Sequence, residues 1–207
     1  MTTLVLASAS PARLATLTAA GVEPLVVVSS VDEPALVERY RVAEPGDVAL
    51  LLARAKAEDV GGRDDLPEQA VVLGCDSVLE MDGEVHGKPA DAAQAVARWR
   101  RMRGRSGVLH TGHWLVDERQ DGGTGATVGA VASTTVHFAT LTDDEIDAYV
   151  ATGEPLRVAG AFTVDGLGGP YVRGIDGDHH NVVGLSLPLL RDLLAQLDIR
   201  WHTLWHP

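Results

Sequence analysis

The chain has 207 residues, of which 45% are hydrophobic and 22% charged, with a formal net charge of −12. That length buries a core in one compact unit, and the acidity excludes a general nucleic-acid binder, since no basic stripe is present to neutralise a phosphate backbone. No apolar run approaches the roughly 20 residues of a membrane span, Met1-Thr2-Thr3 offers no basic region ahead of a signal segment, and the single cysteine, Cys75, excludes an intramolecular disulfide, so a cytoplasmic protein is the simplest reading.

Residues 4–13, Leu-Val-Leu-Ala-Ser-Ala-Ser-Pro-Ala-Arg, predict a short buried strand running into a helix start, with Ser10 as N-cap and Pro11 in the first helical position. Arg13 falls in the first turn, where the helix dipole makes a further cation unfavourable unless an anion docks there. Backbone N–H groups, Ser8, Ser10 and Arg13 would then converge on a phosphate; the plainer alternative is a β-to-α connection with a solvated arginine. Residues 25–29 predict a second apolar strand with Val26-Val27-Val28 at its centre, followed by an acidic turn at Val31-Asp32-Glu33-Pro34. Pro45-Gly46-Asp47 opens a helix to about Val60, with Val48, Leu51, Leu52 and Ala55 as its buried stripe. Lys56 lies on or beside that stripe, either snorkelling to water or serving a site.

Residues 70–79 have the composition of a central strand interrupted by one carboxylate, Asp76, which needs a metal, a cation or several donors if buried. Met81-Asp82-Gly83-Glu84 is a tight turn, and residues 85–89 return the chain with Lys88 within reach of Asp76. A helix over 92–102, a strand over 107–116, a freely variable loop over 117–125 and a strand over 128–138 follow. Arg98, Arg100, Arg101, Arg103 and Arg105 surround a helix end, where cations suit the dipole, and read as structural. Thr142 and Glu145 form a capping box for a helix over 143–151, so Asp143-Asp144-Glu145 compensates a dipole rather than binding metal. Residues 160–171 are glycine-dense and imply sharp turns or a close approach, and residues 185–197 end in an amphipathic helix. His179-His180 and His202/His206 lack supporting carboxylates and read as solvated imidazoles. Walker A, HExxH and G-x-S-x-G patterns are absent.

Seven motifs in order resemble the Maf family: Ser8-Ala9-Ser10-Pro11-x-Arg13, Glu33, Lys56 between alanines, Gly74-x-Asp76-Ser77, Gly87-Lys88-Pro89, Ala159-Gly160-Ala161-Phe162, and Val183-Gly184-Leu185 with Pro188. The resemblance implies an α/β fold similar to inosine triphosphate pyrophosphatases: an elongated mixed sheet with flanking helices, two lobes and a central cleft. It implies a nucleoside triphosphate pyrophosphatase that uses a divalent cation, Mg²⁺ or Mn²⁺, releases a nucleoside monophosphate and pyrophosphate, and forms a homodimer. Carried over residue by residue, Asp76 becomes general base or metal ligand and Glu33 the second metal ligand, with Ser8, Ser10, Arg13, Lys56 and Lys88 on the phosphates.

Phosphoanhydride cleavage needs charge neutralisation, a positioned water and in-line geometry, which those residue types supply. At the positions that separate the family's specificity classes this chain carries Ala12, Ser77 and Asp165, fitting neither the dTTP/UTP pattern nor the 7-methyl-GTP pattern. Val158 and Gly107 also stand where many members have Lys and His. Two other classes of function are a nucleotide-binding regulator of septum formation or cell division with little turnover, and a phosphatase releasing orthophosphate.

Overall fold

A computed structural model describes residues 2–205; Met1, His206 and Pro207 lie outside the described residues. In chain order the elements are β1 (Thr3–Leu6), α1 (Pro11–Ala19), β2 (Leu25–Val26), α2 (Glu33–Tyr40), α3 (Pro45–Gly61), β3 (Ala70–Met81) and β4 (Glu84–His86). They continue with α4 (Ala92–Met102), β5 (Ser106–Asp117), β6 (Thr127–Phe138), α5 (Asp143–Ala151), β7 (Val172–Asp176), α6 (His179–Val183) and α7 (Leu187–Gln196). The strands form one mixed sheet in the order β2-β1-β3-β5-β6-β7, with β4 also on β3. β1 runs parallel to β2 and β3, and the β3-β5-β6-β7 portion is antiparallel. Among the described residues no helix is long and apolar enough to cross a membrane.

The edge of β3 creates the feature that matters most. β1 pairs with residues 70–73 and β4 with residues 79–81, so among the described residues the stretch 74–78 has β5 on one side and no strand on the other. Side chains alternate across a strand. Val72, Gly74, Asp76 and Val78 therefore share the face under α3, while Val71, Leu73, Cys75 and Leu79 pack toward the opposite helices. On that opposite face, α7 with Leu6, Leu17 and Leu185 builds one core cluster, and α4 and α5 build a second around Trp99.

Helix α3 lies unusually close to the sheet, because Gly74 and Gly112 face it. A Cβ at Gly74 would collide with the backbone of Ala53 and Ala57, and one at Gly112 with that of Ala49 and Leu50. The buried stripe is accordingly Val48, Ala49, Leu52, Ala53, Lys56, Ala57 and Val60, with small residues at the contact, and Leu51 and Ala55 stand only partly buried beside it. Interior packing leaves no slack for larger groups at such a contact.

Three further expectations are corrected. The strand at 25–29 shrinks to Leu25–Val26, and Leu25, Val26 and Val28 are exposed, because β2 is the sheet's edge. The acidic turn at 31–34 is a helix start: the Asp32 side chain accepts from Ala35 N–H as N-cap, and Glu33 and Pro34 form the first turn of α2. Loop 117–125 is built rather than free, since buried Asp117 accepts from Arg119 Nε at 2.7 Å and from Thr124 N–H at 2.8 Å. The capping box on α5 and the 92–102 bounds of α4 are as the sequence indicates. Arg100, Arg101, Arg103 and Arg105 pair at the surface with Asp82, Glu84 and Asp143, in keeping with their structural reading.

Candidate active site

The notch in β3 collects side chains from both faces of the sheet. From the α1 side, β1 hands over to Ser8, whose Oγ accepts from Ser10 N–H at 3.2 Å, and Ser10 caps the helix that carries Arg13. Arg13 is 8% exposed and donates from Nη1 to Ser8 Oγ at 3.0 Å, from Nε to the Gly184 carbonyl at 2.7 Å and from Nη2 to Ser77 Oγ at 3.1 Å. All three acceptors are neutral. The guanidinium is thus held in one orientation with its charge unbalanced by any carboxylate it touches, a state that favours an anionic ligand.

From the α3 side, Lys56 Nζ lies 2.6 Å from Asp76 Oδ1 and 2.7 Å from Glu33 Oε1, joining the two carboxylates through one ammonium. Lys56 does not reach bulk water: both it and Asp76 are 8% exposed, whereas the Glu33 side chain is 45% exposed. The close seat of α3 over Gly74 brings the lysine down onto the strand residue two positions along. Burial pushes the Asp76 carboxyl above the usual carboxylate range, against the opposing pull of Lys56 and then of Arg13. Arg13 binds Ser77, the residue next to Asp76 on the unpaired stretch of β3, and its charge draws the Asp76 pKa down. Ser77 belongs to the opposite face, and only where β3 lacks a neighbour can the two sets meet.

Cys75 between them is fully buried, and burial pushes its thiol up to about 12, so it is unreactive. Ser77 Oγ contacts Thr111 Oγ1 at 2.9 Å, and Thr111 Oγ1 donates to the Asn181 carbonyl at 3.2 Å. His113 is also buried: its Nε2 accepts from Ser186 N–H at 2.8 Å and Nδ1 donates to the Thr111 carbonyl at 3.0 Å, fixing the segment next to Gly184. Burial brings this imidazole down to about 4, so it stays neutral. Sequence reasoning gave no role to Thr111, His113 or the Gly184 carbonyl; the Val183-Gly184-Leu185 match was the one available signal, and a carbonyl acceptor has no side-chain signature.

Among the described residues, the other candidates have no side-chain hydrogen bond or ion pair to this cluster. Lys88 is exposed in the turn after β4 and does not pair with Asp76, whose cation is Lys56. Ala12 is half-buried on α1, and Asp165 is exposed on a loop held by Glu154, which accepts from Leu167 and Gly168 N–H at 3.1 Å each. Of the three specificity positions, Ser77 alone has a hydrogen bond to the Arg13 cradle. Among the described residues no group of three His, Cys, Asp or Glu side chains is placed to hold a metal. Asp76 and Glu33 are two oxygen donors, which suits Mg²⁺ when phosphate oxygens and water complete its shell.

The model of the family described as Maf-like protein matches residues 3–197. This chain belongs to the Maf family. Among curated Maf relatives, a protein of Salinispora tropica is 61% identical over 204 residues, covering 98% of this chain and 87% of that protein. One of Leifsonia xyli is 55% identical, covering 98% and 96%, and one of Streptomyces coelicolor is 55% identical, covering 99% and 95%. All three are named nucleoside triphosphate pyrophosphatase. A solved nucleoside-triphosphatase, or dITP/XTP pyrophosphatase, of Mycobacterium abscessus aligns with 67% of this chain and 75% of its own at 20% identity and a TM-score of 0.39, too distant a likeness to carry a functional argument.

Proposed function

We propose that this Maf chain is a nucleoside triphosphate pyrophosphatase that cleaves between the first and second phosphorus of its substrate, releasing a nucleoside monophosphate and pyrophosphate. The names of the close relatives support the activity. The observation that carries the chemistry is the meeting of Arg13 and the Asp76–Lys56–Glu33 cluster at one unpaired stretch of β3.

In this reading the α1 N-terminus, Ser8, Ser10 and Arg13 take phosphate oxygens, with Lys56 and Lys88 supplying further positive charge. Asp76 removes a proton from the attacking water, a role its burial-raised pKa favours because a stronger base transfers a proton more readily near neutral pH. Lys56 orients that carboxylate and is itself steadied by Glu33. The site's own charges nearly cancel, Arg13 and Lys56 against Asp76 and Glu33, so a triphosphate requires added positive charge. A divalent cation held by Asp76 and Glu33 would supply charge neutralisation on the phosphates and acidify bound water. Ala12, Ser77 and Asp165 are proposed to face the base.

The enzyme is further read as a cytoplasmic homodimer, which sedimentation velocity on the purified protein tests by a mass twice that of the 21.9 kDa chain. The activity is tested by incubating the protein with normal and modified nucleoside triphosphates plus Mg²⁺ or Mn²⁺ and identifying products. Pyrophosphate and monophosphate in equal amounts support the proposal. Orthophosphate would indicate a phosphatase, and nucleotide binding without turnover would indicate the regulator of septum formation or cell division.

A further inference from the structure

Among the described residues only two arginines are buried, Arg13 and Arg98, each 8% exposed. Arg13 belongs to the site above. Among the described residues Arg98, on α4, has one side-chain hydrogen bond, from Nη1 to the Gly87 carbonyl at 2.6 Å, and no carboxylate pairs with it, so burial holds the guanidinium below its ordinary pKa. A guanidinium has five donors in a planar fork, and a buried one answered by a single neutral carbonyl is left with most of its hydrogen-bonding capacity unspent. The remaining Arg98 nitrogens are not sealed in the core.

Arg98 lines a cavity of about 180 Å³ together with Met81, His86, Gln94, Ala97 and Arg101. The polar groups there are mostly donors. Gln94 uses its carbonyl oxygen to accept from Ala90 N–H at 2.8 Å, leaving its NH₂ free to donate. Arg101 pairs outward with Glu84 at 2.8 Å and Asp82 at 3.5 Å, closing the rim with its charge already partnered. His86 lies 3.8 Å from Glu84, yet its pKa is lowered, first by burial and then by Arg98 and Arg101, whose repulsion outweighs the pull of Glu84 and Asp82. Among the described residues Arg98 is the cation of this cavity that no carboxylate partners, inside a protein of net charge −12.

We propose that this cavity is a second anion site, separate from the notch, which takes a tetrahedral oxyanion of the phosphate class through Arg98, Gln94 and His86. Orthophosphate and pyrophosphate share that chemistry. A planar fork matches two phosphate oxygens at once, and the cavity offers room for one phosphate group with ordered water. The site does not depend on the hydrolytic reading, since it shares no residue with the Arg13 cradle.

Calorimetric titration of the wild type, Arg98→Met and Arg13→Met with sodium orthophosphate and, in parallel, sodium pyrophosphate tests the proposal. The wild type should bind at two sites. Arg98→Met should weaken one of them tenfold or more and leave the other, whereas Arg13→Met should retain the Arg98 site; the anion held more tightly by Arg13→Met identifies the source. A folded Arg98→Met that keeps wild-type stoichiometry and affinity for both anions overturns the proposal. If instead Arg13→Met keeps both sites, the cradle reading fails and the second site stands. Should Arg98→Met not fold, the Arg98 Nε–H resonance of the wild type is followed by ¹H–¹⁵N NMR during the same titrations: a saturable shift supports the site, and an unmoved resonance overturns it.

Discussion

Replacing Lys56 by Met keeps the length and apolar stem of the side chain and deletes only the ammonium that joins Asp76 and Glu33 at 2.6 and 2.7 Å. Asp76, 8% exposed, is then left without its partner, and removing one member of a buried ion pair costs about 3–5 kcal/mol when the other stays charged. That cost depends on pH in a definite sense. The folded-state pKa of Asp76 already lies above its ordinary value of 3.8, and loss of the cation lifts it further. Below 3.8 the carboxyl is protonated folded and unfolded alike and the penalty vanishes; it grows as pH rises through the raised folded value. Urea unfolding of wild type and Lys56→Met at pH 5 and pH 8 should show the larger loss at pH 8, with Asp76→Asn in the same chain recovering most of it. An equal loss at both pH values, or additive effects in the double variant, would mean that Lys56 acts through its stem and that the charge cluster is no unit.

Asp76→Asn should lower the rate of pyrophosphate release about 100-fold or more with the fold retained, and in the wild type the acidic limb of kcat/KM should lie above pH 3.8, as the raised Asp76 pKa requires. Arg13→Ala, removing three charged hydrogen bonds around the notch, should raise the Kd of a triphosphate about 10-fold or more while leaving nucleoside binding nearly unchanged in a fluorescence titration; equal effects would contradict a phosphate contact. Gly74→Ala forces α3 away from β3 and should cost about 1–3 kcal/mol in urea unfolding, with a fall in activity as Lys56 is drawn from Asp76. His113 sits near pKa 4 folded against an ordinary 6.5, so stability should fall as pH drops from 6.5 to 4, by about 3 kcal/mol at 1.36 kcal/mol per pH unit. His113→Gln should flatten that slope, and an unchanged slope would remove His113 as its origin.

What the sequence conveyed was mostly local. The capping box at Thr142 and Glu145, the Asp82-Gly83 turn and the cap-to-end length of α4 are decided by neighbours three or four residues apart, and they read correctly. The Val26-Val27-Val28 run misled because apolar β-branched residues look alike in a central strand and on an uncovered edge; only the strand order tells them apart. Lys56 admitted two readings for a similar reason. Its fate depends on Gly74 and Gly112 admitting α3 close to the sheet, a relation among three elements that no single stretch carries.

At the site, residue types were legible and partners were not. Asp76 in an apolar strand signalled a need for a cation, but Lys88, nearer in sequence after the hairpin, was the more obvious candidate than Lys56. The Arg13 bond to the Gly184 carbonyl joins residues 171 positions apart, beyond any periodicity. In sequence Arg98 looks like the arginines around it, because helix-end position alone does not reveal which member of the run turns inward.

The most direct test is a crystal structure of the protein with a nucleoside triphosphate whose first two phosphorus atoms are bridged by a methylene group, which resists hydrolysis. The phosphate chain should lie at the open edge of β3, with the Arg13 guanidinium and the Lys56 ammonium on its oxygens and the Asp76 carboxylate beside its first phosphorus. A chain bound elsewhere, with Arg13 and Asp76 unchanged and untouched, would contradict the account.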